Sequence, residues 1–243
     1  MKSIISIISG KGGAGKSTCA IGIAAALCKL DKSVLLIDLD AGLRCLDIML
    51  GMDERLVFDL SDVLSGKPLE SALLKSERYP GLSLLAAPHD CCNIDGDALA
   101  RFLLGCQGYD YIILDFPAGL DFPYLASVSD ISDFLVVTAA DKLGMRDSFA
   151  TVNRLQECGC NCRLIINKYE RQHVKKGLYG GIDDVIDSAG CRLIGIIPFD
   201  KKIVKRPVTN KRSLTARAFA RIAKRIYGYE IPLPRIKKIE KGK

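Results

Sequence analysis

The sequence predicts an α/β fold: a doubly wound, mostly parallel sheet of about seven or eight strands with helices on both faces. Three observations predict it. Short β-branched runs recur along the chain and most are apolar on both faces, as strands covered from two sides must be. Stretches long enough for crossover connections separate them. The chain has 243 residues, 49% hydrophobic and 26% charged, which fits one domain with a sizeable core.

In chain order, the first strand is Ser3–Ile8, an apolar run cut short by a glycine-rich turn, and an apolar-periodic helix follows near Lys16–Leu30. Strands are expected at Val34–Asp38 and Leu82–Ala86, then a helix near Asp95–Cys106 and a strand at Tyr111–Asp115. Further strands are expected at Phe134–Thr138, Arg163–Ile166 and Leu193–Ile197, with helices near Met145–Glu157 and Gly181–Ala189 between them. The last helix, Leu214–Tyr227, places Leu214, Ala218, Phe219, Ile222 and Ile226 on one face. Arg217, Arg221, Lys224 and Arg225 fall largely on the other, which is expected to be wet. Pro232 and Pro234 then stop the helix, leaving a short basic tail expected to lack stable structure alone. No internal repeat is visible.

Composition excludes several classes. Disorder and coiled coil do not fit, and ten cysteines in a chain of this size read as reduced thiols in a cytosolic protein rather than as a disulfide scaffold. No run approaches the ~20 apolar residues of a membrane span. A removed leader is not expected, because the Ala24-Ala25-Ala26-Leu27-Cys28 stretch sits inside a helical pattern. The net charge of +7 is uneven: residues 201–243 hold fifteen Lys or Arg against Glu230 and Glu240, while the remainder carries 20 basic and 26 acidic groups. A basic end beside an acidic body fits an anionic partner, nucleic acid or the inner face of a membrane, or a plainly solvated helix face.

Chemistry concentrates between the first strand and the first helix. Gly10-Lys11-Gly12-Gly13-Ala14-Gly15-Lys16-Ser17 satisfies the phosphate-loop pattern of Gly, four residues and Gly-Lys-Ser in the required strand-to-helix context. Glycines let backbone N–H groups converge on phosphate oxygens, and the helix adds its N-terminal partial positive charge. Lys16 is expected against the β- and γ-phosphates, Ser17 on Mg2+, and Thr18 near the α-phosphate.

Two acidic stretches fall at the C-terminal ends of strands that would neighbour this loop. In Asp38-Leu39-Asp40 both carboxylates lie on the same side of an extended chain, Asp38 toward magnesium-bound water and Asp40 toward the attacking water, although such a pair could instead cap a helix. Ile112-Ile113-Leu114-Asp115 is an apolar strand ending in a carboxylate, suited to accept from magnesium's water shell. Asn167 is expected to close the sixth strand, and Pro198-Phe199-Asp200 follows the seventh. Both lie where a base pocket would be, and an Asn amide matches the donor–acceptor edge of adenine.

Lys11 is not required by the general pattern. Lys-Gly-Gly-Ala-Gly-Lys-Ser-Thr resembles the deviant phosphate loop of the MinD/ParA class of ATPases, which are P-loop NTPases of the SIMIBI type. The resemblance, in pieces, covers residues 2–227. The stretch through Arg44-Cys45-Leu46-Asp47 is similar to the class's first switch, and Asp115-Phe116-Pro117-Ala118-Gly119-Leu120-Asp121 to its second. The Pro-Ala-Gly wording favours the MinD branch over the ParA branch, while Phe116 departs from the small polar residue common there and so bears on how the switch senses phosphate.

The resemblance implies ATP and Mg2+ as ligands, a homodimer formed on ATP binding, and Lys11 reaching the partner's nucleotide in trans. It implies adenine contact by Asn167, a division-inhibitor or activator protein as partner, and a spatial switch in bacterial division-site placement, cytoplasmic with peripheral attachment at the inner face of the cell membrane. The expected division is an ATPase domain over residues 1–228 and a basic tail over 229–243. A partition ATPase holding DNA nonspecifically remains an alternative reading of the basic end, and an iron–sulfur carrier a further one. Against the carrier, Cys158-Gly159-Cys160-Asn161-Cys162 offers alternate thiols on one face of an extended chain, poor geometry for a tetrahedral site, and Cys91-Cys92 is no better. His89 and His173 are isolated and imply no catalytic constellation. The tail carries Arg235, Lys237, Lys238, Lys241 and Lys243 but only Ile236 and Ile239 to bury, so attachment to an anionic leaflet would be weak unless a dimer presents two tails.

Overall fold

The computed structural model describes residues 2–41, 43–89, 94–119, 123–170, 181–200 and 213–233. The expectations for Cys91-Cys92, Leu120-Asp121, His173 and the tail from Pro234 onward lie outside the described residues.

Eight strands form one sheet: β1 (Ser3–Ile8), β2 (Val34–Asp38), β3 (Leu74–Lys75), β4 (Leu82–Leu85), β5 (Tyr111–Asp115), β6 (Asp133–Ala139), β7 (Cys162–Tyr169) and β8 (Arg192–Pro198). Their order is β3-β4-β2-β5-β1-β6-β7-β8, and every pairing is parallel except that of β3 with β4. Among the described residues the helices are α1 (Lys16–Cys28), α2 (Leu46–Leu50), α3 (Leu60–Leu64), α4 (Leu69–Ala72), α5 (Gly96–Gly105), α6 (Leu125–Ser129), α7 (Lys142–Glu157), α8 (Ile182–Ala189) and α9 (Leu214–Ile226), with a 3₁₀ turn at Asp53–Arg55. The doubly wound sheet read from the sequence is therefore the fold.

Strand periodicity divides the core into two layers. Ile4 and Ile8, Leu35 and Ile37, and Ile112 and Leu114 face one layer with α5, α7 and α8. Ile5 and Ile7, Val34 and Leu36, and Tyr111 and Ile113 face the other with α1 and α9. Backbone approach is close in this second layer: a Cβ on Gly22 of α1 would stand 2.5 Å from the Phe219 ring, and one on Gly195 of β8 would stand 2.3 Å from Ile222.

The differences from the sequence reading have local causes. α7 starts at Lys142 rather than Met145 because Asp141 caps it, accepting from the Gly144 N–H at 2.6 Å. β7 starts at Cys162 and runs to Tyr169, so Asn167 lies within the strand rather than closing it, and a register shift between Ile166 and Tyr169 accommodates Lys168 at φ +53°. β6 and β8 extend one residue further at each end, whereas β4 stops at Leu85. The two-residue β3 and the short helices α2, α3, α4 and α6 carry too little periodicity to be seen in sequence. Arg225 is not on a wet face: its Nε donates to the Ile231 carbonyl at 2.9 Å and its Nη1 to the Ile194 carbonyl, tying the chain after α9 to β8.

Candidate nucleotide site

The strand order decides which groups can meet. β5 and β1 lie side by side with β2 beyond, and their C-terminal ends share one edge: Ile7 pairs with Asp115, and Asp115 with Asp38. The chain leaves β1 toward one side of the sheet and β6 continues on the other, which opens a crevice at that edge.

The segment Gly10–Ser17 crosses this edge. Gly13 and Gly15 adopt φ +77° and +94°, the left-handed region that favours glycine. Gly15 is doubly constrained, since an added Cβ would lie 2.2 Å from Asn167 Nδ2. Gly10 is fixed by proximity instead, its Cβ position lying 2.9 Å from Thr151 Oγ1 on α7. At the end of the loop, α1 begins with no side-chain cap and no acidic residue in its first turn. Its opening N–H groups and partial positive charge thus point at the crevice. Lys16 is buried there, with Ser17 and Thr18 half-buried beside it.

Two carboxylates, Asp40 and Asp115, approach Lys16, and Asp38 lies beside them. Asp38 is fully buried and accepts from three backbone amides: Asp40 at 2.9 Å, and Cys45 and Leu46 at 3.2 Å each. Burial nevertheless pushes its carboxyl up to about 6. It ties the start of α2 to β2, the residue at the helix's own N-cap position being Cys45. Asp40 is half-exposed and raised by burial, with Lys16 pulling it down. Asp115 is fully buried, and neither of its oxygens has a hydrogen-bond partner of normal geometry among the described residues. Burial raises its carboxyl to about 8, and Asp38 and Asp40 add to the rise. Ser17 and Lys16 approach and pull the other way.

A buried carboxylate without a partner is costly unless a cation or its water shell completes it. That donor set fits magnesium. The Ser17 hydroxyl, which accepts from Cys45 Sγ at 3.4 Å, is the expected direct ligand, with Asp115 and Asp38 behind the ion's waters. No group of three or more His, Cys, Asp or Glu side chains able to hold a metal directly occurs among the described residues.

Lys11 reaches away from the crevice. Its Nζ lies 3.4 Å from Asp141 Oδ1 and 3.9 Å from Asp147 Oδ2, both on the first turns of α7 and its cap, and it is partly exposed. Asn167 Nδ2 donates to the Ala14 carbonyl at 2.8 Å, so this buried amide braces the loop. Pro198 ends β8 as a buried residue paired with Tyr169, and Asp200 accepts from Ser213 and Thr215 at the start of α9.

Three features escaped the sequence. Lys168 Nζ donates to the Gly13 carbonyl at 2.6 Å, strapping the loop from above. A lysine following an Asn at a strand end gives no signal until the bulge is seen. Arg44, at φ +33°, pairs with the buried Asp47 at 2.8 Å, an i,i+3 charge pair that spacing could have indicated. Phe116 belongs to the core, its ring 5.6 Å from Tyr124 and 6.3 Å from Phe134, so the departure in the second switch fills space rather than facing phosphate.

With this geometry in place, the comparisons are specific. The pattern of the CobQ/CobB/MinD/ParA nucleotide binding domain matches residues 5–214. This chain belongs to that family. It is 34% identical to the septum site-determining protein MinD of Synechocystis sp., over 96% of this chain and 92% of that one. Among solved structures it is similar to the MinC:MinD cell division protein complex of Aquifex aeolicus, at 35% identity and a TM-score of 0.87, covering 96% of this chain and 99% of that one. It is also similar to the septum site-determining protein MinD complexed with Mg-ADP from Pyrococcus horikoshii, at 26% identity and a TM-score of 0.82, covering 94% and 97%. Among the described residues, no helix is long and apolar enough to cross a membrane.

Proposed function

We propose that this protein is a MinD-like ATPase that hydrolyses ATP to ADP and phosphate within a nucleotide-dependent homodimer and serves as a spatial switch in division-site selection. The observation that carries this reading is the fully buried carboxylate of Asp115, without a hydrogen bond of normal geometry, paired in register with Asp38 and approached by Ser17 and Lys16.

The chain's own residues divide the work. The amides of Gly10, Gly12, Gly13, Ala14 and Gly15, with the N-terminus of α1, hold the phosphates. Lys16 neutralises the β- and γ-oxygens, and Thr18 bonds near the α-phosphate. Ser17, Asp38 and Asp115 hold magnesium, which when bound supplies positive charge to the developing transition state. Asp40, half-exposed and raised by burial, orients the attacking water. Asn167 and Pro198 line the base pocket.

Lys11 completes the partner's site. In the single chain Asp141 and Asp147 hold it aside, and dimerisation exchanges those carboxylates for the phosphates of the second nucleotide. A cation that arrives only on assembly makes hydrolysis depend on the dimer.

Similarity to a MinC:MinD complex supports a division inhibitor as partner. The basic end over residues 229–243 is proposed to meet an anionic membrane surface, two tails per dimer. Isothermal calorimetry with ATP and magnesium tests the first step, and no heat of association in folded protein would defeat the reading. Phosphate release with and without anionic vesicles, set beside a DNA gel shift across a salt series, separates the membrane role from a partition role.

A further inference from the structure

At the opposite edge of the sheet from the phosphate loop, two thiols meet across a strand boundary. β7 begins at Cys162, and Cys191 immediately precedes β8. Arg163 pairs with Arg192, and continuing that register back by one residue sets Cys162 beside Cys191. Both pack against the same layer of the core, next to Leu164 and Leu193, and both are half-buried rather than sealed. Both are free thiols, and the register makes them cross-strand neighbours. Neighbouring strands stand about 4.8 Å apart, inside the ~4.4–6.8 Å Cα separation that a disulfide spans.

The nearby thiols are arranged differently. Cys160 is buried, with its Sγ turned to the Cys158 carbonyl at 3.9 Å, and Cys158 follows the end of α7. The two thiols are also unequal: the neighbouring Cys191 pulls the Cys162 thiol below its ordinary value, while Cys162 and burial push that of Cys191 up. A nucleophilic thiol beside a resolving thiol is the arrangement that thiol–disulfide exchange requires.

We propose that Cys162 and Cys191 form an exchange site for small-molecule disulfides of the glutathione type, closing a reversible bond between β7 and β8. The Cys162 thiolate attacks one sulfur of the small disulfide, breaking its S–S bond and releasing one thiolate, which is protonated to the free thiol. Cys191 then loses its proton and attacks Cys162 Sγ, displacing the second small thiolate. Two protein thiols are oxidised by two electrons, and one small disulfide is reduced to two thiols.

β8 is the outer strand of the sheet, so the bond staples the sheet's last strand to β7 and closes the chain between positions 162 and 191. Closing a loop of that length restricts the unfolded chain and raises stability. Five residue steps along β7, about 16 Å, separate Cys162 from Asn167 at the phosphate loop. The inference therefore does not rest on the nucleotide reading.

The test treats the full-length protein with oxidised glutathione at neutral pH, traps remaining thiols with N-ethylmaleimide, and maps unreduced peptides by mass spectrometry. The expected result is loss of two of the ten thiols, a peptide linking Cys162 to Cys191, and a Tm several degrees higher, all reversed by dithiothreitol. Cys191→Ser should stop at the intermediate, with glutathione retained on Cys162, whereas Cys160→Ser should still close the bond. Ten unchanged thiols, linkage through a different pair, or no adduct on Cys162 in folded Cys191→Ser protein would each overturn the proposal. Should Cys191→Ser not fold, the peptide map of the unaltered protein decides.

Discussion

Asp38 and Asp115 are direct partners on adjacent parallel strands, yet one carboxylate accepts three backbone amides and the other accepts none. The asymmetry assigns different work to two residues of the same type. Asp38 spends its lone pairs on the turn that launches α2, so it transmits the position of β2 to the Cys45–Leu46 segment. Asp115 is left with an uncompensated desolvation cost, and a cation is what removes it.

That cost sets a pH dependence. The carboxyl of Asp115 titrates near 8 in the folded chain against 3.8 for the ordinary group, so the folded state holds the extra proton between those values. Stability of the nucleotide-free protein should therefore fall as pH rises from about 4 to 8, by up to about 1.4 kcal/mol per pH unit. Asp38 adds a loss of the same sign up to about 6. Urea unfolding in EDTA at several pH values measures this. Asp115→Asn should flatten the decline and raise stability near pH 8, while weakening magnesium-dependent nucleotide binding at least tenfold. An equally steep profile in Asp115→Asn would contradict the assignment.

Lys11 is held by two carboxylates of α7 in the single chain. Lys11→Ala should retain nucleotide binding within about threefold and lose dimer-stimulated turnover by 10³ or so, the scale on which a transition-state cation supplied in trans acts. Binding calorimetry and phosphate release against protein concentration separate the two effects. Normal stimulated turnover in this variant would refute a role in trans.

Much of the fold was legible because buried parallel strands write themselves as apolar runs: β1, β2 and β5 are bounded as their sequences indicate. The phosphate loop was legible because glycine spacing records backbone conformation, and Gly13 and Gly15 do adopt positive φ. What stayed hidden depends on neighbours remote in sequence. Asn167 meets Ala14, Lys168 meets Gly13, and Arg225 meets Ile194, contacts that exist only once β7 and β8 lie beside β6. The destination of Lys11 was equally hidden, because Asp141 and Asp147 approach it only through the packing of α7.

Lys168 combines a left-handed backbone with a side chain strapped to the loop, and the two contributions can be separated. Lys168→Ala keeps the strain and removes the strap, so nucleotide affinity should fall three- to tenfold with a small loss of stability. Lys168→Gly removes both; affinity should fall equally, while stability should exceed that of Lys168→Ala by about 1 kcal/mol. Calorimetry gives the affinities and urea midpoints the stabilities. Unchanged affinity in both variants would show that the strap does not hold the phosphate loop.

The close approach of α1 to α9 yields a test of how the site is supported. A Cβ on Gly22 would stand 2.5 Å from the Phe219 ring, a fully buried side chain that cannot swing into solvent. Gly22→Ala should therefore destabilise by about 1–3 kcal/mol, despite the better helix propensity of alanine. Phe219→Leu removes the opposing ring edge at the cost of a partly filled cavity. If the clash is the cause, the double variant should be more stable than the sum of the single losses by at least about 0.5 kcal/mol, since residues in contact couple. Additive losses would mean that α1 shifts away from α9 instead. Because α1 carries Lys16 and Ser17 at its start, such a shift would also appear as weakened nucleotide binding in Gly22→Ala alone.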